Sequence, residues 1–385
     1  MRRSSHGERQ QLSETFEALC RIESPSRRER HCADWVIAEL DGMGIGVEED
    51  DAGTEVGADA GNLLARIPGS GPESILLCAH LDTVPLEAPV EPTLVDGGWE
   101  NANAAILGAD NKAAVAVMLE LARRIISSPE PPRVGLELLF TVCEEVALLG
   151  AKAFDRRQLL SRFGYVFDHA SPIGEIVLSS PTYYRIVGEL HGRAAHAGIR
   201  PEIGRSAIAA AAHGIAAMRL GRLDPETTTN VGTITGGTNA NVVPEHCRVE
   251  AEARSLDRSR AEAVATEIVD HLQEAADAGE CDLDITVERM FEGYRTSPRE
   301  PQVVLAERAL RACGYEATHI ATGGGSDANA LQAAGFACTN LANGTERNHE
   351  PTERVSVDAL EGMLEVSIAL FEQAPDVIIE LPDRS

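Results

Sequence analysis

The sequence predicts an α/β domain with a mixed, mostly parallel sheet and flanking helices, interrupted by a smaller inserted α+β domain. Two observations support this prediction. Strand-like and helix-like segments alternate through the first half of the 385-residue chain and again from about residue 297. Between these regions the order becomes β-α-β-β-α-β, which is the split βαβ unit. We therefore place the main domain at residues 1–180 and 291–385, and the insert at residues 181–290.

The apolar segments before residue 180 predict the elements of the main domain in order. Short apolar runs indicate buried strands, whereas a longer run with helical periodicity indicates a helix with a buried face. The predicted strands are NLLARIPG (62–69), SILLCAHLD (74–82), GLELLFTVCEE (135–145) and YVFDHA (165–170), and the predicted helices are GADNKAAVAVMLELARRII (108–126) and one that begins at LLGAKAF (148–154).

The insert combines four predicted strands with two predicted helices. Its antiparallel sheet should leave one face or one edge exposed. The strands are YYRIVGELHG (183–192), TTTNVGTITGG (227–237), CRVEAEARSL (247–256) and DLDITVERM (282–290), and the helices are RSAIAAAAHGIAAMRL (205–220) and RSRAEAVATEIVDHLQEAADA (258–278).

Composition and charge exclude several classes of protein. Hydrophobic residues make up 43% of the chain, which indicates a globular protein and not a disordered one. No apolar run approaches the ~18 residues of a membrane span. The start, MRRSSHGERQ, has no apolar stretch behind its basic residues, so we expect a cytoplasmic protein. A net charge of -27 argues against nucleic acid or an anionic membrane as a partner. The eight cysteines form no C-x-x-C pair, and we expect them to be reduced.

Polar side chains recur where the apolar strands of the main domain end. Strand ends are where ligands bind in an open α/β sheet, and imidazoles together with carboxylates are typical ligands of zinc. Two histidines, one glutamate and two aspartates can hold two metal ions if one aspartate bridges them. The residues concerned are His80 and Asp82 after ILLCA, Asp110 after ILGA, Glu144 and Glu145 after LLFTVC, Asp168 after YVF, and His349 in GTERNHEP.

The adjacent Glu144 and Glu145 place two like charges after a buried strand. Burying either carboxylate without a partner is costly, but a nearby dication reverses that balance. One carboxylate can then bind the metal while the other accepts a proton from water. The alternative is a solvated strand end with two exposed glutamates, and that is the commoner situation for an isolated EE pair.

Several motifs resemble, in order and spacing, those of the dizinc metallopeptidases that include peptidase T, carboxypeptidase G and aminoacylase. The resemblance extends from about residue 10 to 375, and AHAGIRPEIGRSAI is most similar to the peptidase T-like branch. It implies a zinc exopeptidase-like fold in which the insert is a lid and dimerisation domain. The motifs are HLDTVP, GADNKAAVA, TVCEEVALLGA, VFDHASPIGEI, HGRAAHAG, TNANVVP and GGGSDAN.

The resemblance implies two Zn²⁺ per subunit, with Co²⁺ or Mn²⁺ as substitutes, and assigns their ligands. His80, Asp110 and Asp168 would hold one ion, and Glu145 and His349 the other, with Asp110 bridging both. Asp82 would orient the ring of His80. Glu144 would be the general base, which accepts a proton from the attacking water and passes it to the leaving amine.

The resemblance also assigns substrate contacts to the insert and makes the protein a homodimer through that insert. His196 would reach the active site of the partner subunit and stabilise the oxyanion, although a surface histidine is the plain alternative. Asn241 would hydrogen-bond the substrate backbone, and Arg254 would pair with a substrate carboxylate unless it is simply solvated. Gly324, in TGGGSDAN, would let the backbone approach the substrate, where the alternative is an ordinary turn.

The activity implied is the dizinc-dependent hydrolysis of peptide bonds in short peptides, with release of the N-terminal residue. Aspartate at position 168 favours this reading, because glutamate there goes with the carboxypeptidase and deacylase types. The alternatives are an amidohydrolase or carboxypeptidase that acts on N-acyl amino acids or C-terminal residues, and a peptide- or metal-binding relic without activity. Three residues depart from the family pattern: Asn111 replaces a common Asp, and Ala147 and His169 each replace a common Gly.

Overall fold

The computed structural model describes residues 3–378. The chain forms two compact units. The first consists of the chain up to Leu178, Thr296–Ala321 and the chain from Ser326 onward, and the second of Ser179–Arg295 and Thr322–Gly325.

Most elements of the first unit precede the second unit in the chain. They are α1 (His6–Cys20), α2 (Arg30–Gly42), β1 (Val47–Glu49), α3 (Ala52–Val56), β2 (Leu63–Ile67), β3 (Ser74–His80), β4 (Pro92–Val95), β5 (Gly98–Asn101), α4 (Ala109–Ile126), β6 (Gly135–Thr141), α5 (Leu149–Ala153), β7 (Ser161–His169) and β8 (Glu175–Ser180).

The remaining elements follow in two groups. Those up to Arg295 are β9 (Thr182–His191), α6 (Ala207–Ala217), β10 (Gly221–Asp224), β11 (Thr227–Gly236), β12 (His246–Ser255), α7 (Arg258–Ala278), β13 (Asp282–Phe291) and β14 (Tyr294–Arg295). After them come α8 (Pro301–Cys313), β15 (Thr318–Ala321), α9 (Asp327–Ala333), β16 (Cys338–Ala342), β17 (Thr345–Glu346), β18 (Arg354–Ser356) and α10 (Val357–Ile378). In the part of the chain that the structure describes, no helix is both long and apolar enough to cross a membrane.

The central sheet of the first unit has the strand order β1-β2-β6-β3-β7-β16-β8. Its middle strands β6, β3, β7 and β16 pair in parallel, and the outer strands join antiparallel. All seven residues of β3 and all seven of β6 are buried, as expected for parallel strands covered on both faces. The predicted α/β class with a mixed, mostly parallel sheet is confirmed.

Parallel pairing brings the ends of three strands to one edge of this sheet. β3 ends at His80, β6 at Thr141 and β7 at His169, and His80 pairs directly with Thr141. Gly108 stands immediately before α4 with a φ of 77°, a left-handed conformation that favours glycine. This turn leads directly to Asp110, whose φ of -84° and ψ of 104° are not yet helical.

The second unit is a five-stranded antiparallel sheet, in the order β10-β11-β12-β9-β13, packed on helices α6 and α7. Burial alternates along β12, so one face of the strand is buried and the other is mostly half-buried. Ile186, Val264 and Leu272 belong to the core between sheet and helices. The sequence prediction missed β10, because the helix predicted to Leu220 ends at Ala217 and the short strand has no apolar alternation.

One edge of this second sheet is incompletely covered. β10 pairs with β11 only at Thr227–Thr229, so within residues 3–378 the rest of β11 has β12 on one side alone. That stretch reads NVGTITG (230–236) and carries no charge. The opposite edge strand, β13, carries Asp284, Glu288 and Arg289, and charged edge strands resist pairing with another chain.

Candidate metal centre

The structure brings the predicted metal ligands of the first unit together. His80 is the last residue of β3, Asp110 lies at the start of α4, Asp168 lies near the end of β7, and Glu145 and His349 lie in loops after β6 and β17. Their donor atoms form two overlapping groups, each with all atoms within 4.8 Å of one another: His80, Asp110 and Asp168 in one, and Asp110, Glu145 and His349 in the other.

The two carboxylate oxygens of Asp110 face different histidines. Its Oδ1 lies 3.3 Å from His80 Nε2, and its Oδ2 lies 3.4 Å from His349 Nε2. His80 Nε2 is also 3.6 Å from Asp168 Oδ1, and His349 Nε2 is 2.9 Å from Glu145 Oε1. A carboxylate that serves two groups through separate oxygens has the arrangement of a bridging ligand.

The carboxylates of the centre are crowded and largely buried. Burial and the charge of Asp168 raise the pKa of Glu144 well above its usual value, and burial and the charge of Asp110 do the same for Asp168. Burial also raises the pKa of Glu145, although a hydrogen bond with His349 opposes the shift. The protein's own groups therefore leave negative charge undercompensated, and a donor set of imidazoles and carboxylates in that state fits a pair of divalent metal ions.

The histidines respond to the same crowding. Burial disfavours the charged form of His80, but hydrogen bonds with Asp110, Asp168 and Asp82 outweigh it and raise its pKa well above the usual value. Hydrogen bonds with Asp110 and Glu145 raise the pKa of His349 to about 10. Each imidazole thus stands where a positive charge is favoured.

Asp82 acts on two parts of the centre. Its backbone carbonyl accepts the Nδ1–H of His80 at 2.9 Å, which leaves Nε2 facing the carboxylates. Its side chain accepts the backbone N–H groups of Glu144 at 2.9 Å and Glu145 at 3.2 Å, and the hydroxyl of Ser26 at 2.7 Å. The carboxylate thus contacts mainly the turn that carries the two glutamates, and its distance to His80 Nδ1 is 3.5 Å.

Sequence reasoning missed a second carboxylate that holds this turn. Glu29 is fully buried, and its Oε1 accepts the backbone N–H of Cys143 at 3.1 Å and the thiol of Cys143 at 3.4 Å. Cys143 has a φ of 53°. Together with Asp82, Glu29 therefore accepts three consecutive N–H groups in a turn of uncommon conformation.

Glu353 is a third buried carboxylate that the sequence analysis did not identify. It accepts the backbone N–H groups of Leu107, Gly108 and Asp110. Burial raises its pKa to about 7, against the opposing effect of these hydrogen bonds. Its position four residues after His349 was the one available signal, and a glutamate in a polar loop is usually solvated.

Comparison with known proteins shows which families and structures the chain is similar to. Residues 183–280 match the model of a peptidase dimerisation domain, and residues 62–177 match that of peptidase family M28. The chain is 34% identical over 364 residues to the uncharacterized protein YqjE of Bacillus subtilis (strain 168), covering 94% of this chain and 98% of that protein.

Two solved structures are similar over nearly the whole chain. The aminopeptidase PepT from Bacillus cereus ATCC 10987 has a TM-score of 0.85 at 34% identity, covering 95% of this chain and 99% of that one. A tripeptidase from Staphylococcus aureus subsp. aureus Mu50 has a TM-score of 0.89 at 31% identity, covering 94% and 98%. The chain belongs to the peptidase T-like family of dinuclear metallopeptidases. The resemblance drawn from the motifs is confirmed, and the protein is a metallopeptidase.

The metallopeptidase holds its other predicted site residues in the second unit. His196 and Asn241 are exposed and adjacent, since the N–H of Ala197 donates to the carbonyl of Asn241 at 2.9 Å. Arg254 lies on β12, and its guanidinium is 4.1 Å from the ring centre of Tyr183.

The guanidinium of Arg254 is held on more than one side. It pairs with Glu252 at 3.1 Å and donates to the carbonyl of Gly323 at 3.1 Å. Gly324 follows in the same segment, and its carbonyl accepts the hydroxyl of Ser180 at 2.8 Å. The structure thus places these four predicted residues in two small groups of the second unit.

Divalent metal should stabilise this metallopeptidase. Chelation should lower the melting temperature and zinc should restore it, because the ions bind the folded carboxylate cluster and not the unfolded chain. One ion at ~100 times its Kd adds about 2.7 kcal/mol to the free energy of unfolding. Calorimetry with and without zinc measures the shift. The matched control is Asp110→Ala, which should respond much less, and an unchanged midpoint in the wild-type protein would contradict the assignment of the centre.

Proposed function

We propose that the protein is a dizinc aminopeptidase that hydrolyses short peptides and releases the N-terminal residue. The observation that carries this proposal is a pair of three-residue donor groups that have Asp110 in common. The carboxylate of Glu144 belongs to neither group but lies close to His80 and Glu145. The likeness to an aminopeptidase and to a tripeptidase, each above 30% identity over nearly the whole chain, supports the choice of substrate.

In this proposal, His80, Asp110 and Asp168 hold one ion, and Asp110, Glu145 and His349 hold the other. Such ions polarise a carbonyl oxygen and lower the pKa of water. His80 would bind through Nε2, because its Nδ1–H is committed to the carbonyl of Asp82. The shared Asp110 fixes the spacing between the two groups.

Glu144 is the proposed general base. It is buried beside His80 and Glu145, with which it forms a third donor group. Its raised pKa suits a carboxyl group that must accept a proton from water and return it to the leaving amine. Asp82 and Glu29 would keep the carboxylate in place through the backbone of the turn.

His196 is the proposed oxyanion donor, acting in the active site of the partner subunit. The N–H of Gly198 donates to His196 Nδ1 at 3.2 Å, so in the neutral ring the proton is on Nε2. That N–H is the kind of donor that stabilises a developing oxyanion. Asn241 would bind the substrate backbone beside it, Arg254 would pair with the substrate carboxylate, and Gly324 would allow a close approach of the main chain.

A carboxypeptidase or amidohydrolase acting on N-acyl substrates is the second candidate. It is favoured by a probable carboxypeptidase of Paracoccidioides brasiliensis (strain Pb03), which is 33% identical over 252 residues. That match covers 59% of this chain and only 56% of the relative, and Asp168 favours the aminopeptidase.

Peptides that differ only at their termini separate the two candidates. Leucylglycylglycine should yield free leucine with the zinc-loaded protein, because the proposed activity starts at the amino terminus. N-acetyl-leucylglycylglycine and N-acetylleucine should be poor substrates. Chromatography of the first products provides the measurement: leucine with glycylglycine is expected, whereas glycine with leucylglycine, or faster cleavage of the acetylated compounds, would establish the second candidate.

Substitutions at the adjacent glutamates test their separate roles. Glu144→Gln should retain both ions and lose about 100-fold or more in kcat, because the amide cannot accept the proton. Glu145→Gln should bind one ion more weakly, because it loses a ligand. Metal content after dialysis and kcat are measured for both variants, and the opposite pattern would exchange the two assignments.

The uncovered edge of β11 should form the proposed homodimer. Pairing of edges across a two-fold axis sets residue i of one subunit opposite residue j of its partner, and only residues near the axis lie close to their own copies. Ile234→Glu should put a charge into the uncharged stretch 230–236 of both subunits and favour the monomer. Ile234 is 50% exposed; Val287, 45% exposed on the opposite edge strand β13, offers the matched control Val287→Glu. Light scattering should show a dimer for the wild-type and control proteins. If Ile234→Glu still forms a dimer and the Kd for dissociation of the dimer is unchanged, this edge is not the dimer interface.

A further inference from the structure

Glu353 joins two loops of the metal centre through one buried side chain. Its exposed fraction is 2%. Its Oε2 accepts the N–H groups of Leu107 and Gly108, each at 2.8 Å, and its Oε1 accepts that of Asp110 at 2.9 Å. The carboxylate therefore uses both oxygens on the segment that delivers Asp110.

The same residue belongs to the turn that delivers His349. The N–H of Glu353 donates to the carbonyl of Glu350 at 2.9 Å, and that of Glu350 to the carbonyl of Arg347 at 3.1 Å. These bonds enclose His349, whose φ is 66°. A movement of Glu353 would consequently shift the Asp110 segment relative to the His349 turn.

We propose that Glu353 is a positioning residue that sets the distance between Asp110 and His349 and thereby the affinity for the ion they share with Glu145. The proposal rests on the metal centre described under the proposed function. Glu353 acts through the backbone of Asp110, whose Oδ2 lies 3.4 Å from His349 Nε2.

The two ion positions depend on Glu353 to different degrees. His80 and Asp168 lie on β3 and β7, which are fixed by direct parallel pairing, for example of Cys78 with Val166. Asp110 and His349 follow irregular backbone, so their relative position depends on side-chain contacts. Loss of the Glu353 carboxylate should therefore weaken the ion at Asp110, Glu145 and His349 more than its neighbour.

Glu137 provides a closely matched control. It is 1% exposed, and its Oε2 accepts two consecutive backbone N–H groups, those of Leu160 at 2.9 Å and Ser161 at 2.7 Å. It lies four residues before the end of β6 and pairs with Arg66. Replacing it by glutamine removes a buried, backbone-binding charge without touching either loop of the metal centre.

The experiment compares Glu353→Gln, Glu353→Asp and Glu137→Gln in the full chain. Glutamine keeps the shape of the side chain but presents an NH₂ group to N–H donors. Zinc titration by calorimetry and the visible spectrum of the Co²⁺-loaded proteins give the two dissociation constants and the geometry at each ion. We expect Glu353→Gln to weaken one ion by about 10–100-fold, as for other groups that orient metal ligands, and Glu353→Asp to recover part of the loss.

The outcomes separate the proposal from its premise. If the wild-type protein binds two ions and Glu353→Gln binds both with unchanged affinities, the positioning role is overturned but the metal centre is not. If Glu137→Gln loses as much metal affinity as Glu353→Gln, the positioning role is also overturned, because the loss would then follow from general destabilisation. A wild-type protein that binds no ion pair would refute the metal centre itself. If Glu353→Gln does not fold, the ratio of the two affinities in Glu353→Asp decides, and an unchanged ratio contradicts the proposal.

Discussion

Repulsion among buried carboxylates is the constraint on which the rest of the first unit depends. Asp110, Glu144, Glu145 and Asp168 converge at one edge of the sheet, where each charge is costly without a partner. Two histidines lie between them, and backbone N–H groups hold the outlying carboxylates of Asp82, Glu29 and Glu353. These contacts assemble a cluster that would otherwise separate, and they leave it suited to bind dications.

The predicted ligands lie partly on regular and partly on irregular backbone. The backbone positions of His80 and Asp168 follow from the pairing of β3 with β7. Glu145 and His349 follow turns that include positive φ values at Cys143 and at His349 itself. In these turns, buried carboxylates fix the backbone by accepting its N–H groups, as strand pairing fixes it in the sheet. The centre thus combines a rigid half with a half whose geometry depends on a few charged side chains.

The fold class, and the polar residues that meet at this edge of the sheet, could be predicted from the sequence because both follow local patterns. The metal-binding roles of these residues came from the family resemblance. Continuous apolar runs predicted β3, β6 and β7, and polar residues at their ends predicted where His80, Glu145 and Asp168 would meet. Glu29 and Glu353 could not be found in this way. Each is a glutamate in a polar loop, and its burial arises only from tertiary contact with backbone more than 100 residues away. The strand β10 was missed since its four residues lack apolar alternation.

The thiol of Cys143, which precedes the proposed general base Glu144 in the chain, has a consequence for redox chemistry. Burial, with the charges of Glu29 and Asp82, raises the pKa of Cys143 to about 12. This shift keeps the thiol protonated near neutral pH, whereas the thiolate is the form that reacts with oxidants. The thiol of Cys143 is therefore a poor nucleophile. The protonated thiol therefore adds no negative charge to the neighbouring carboxylates.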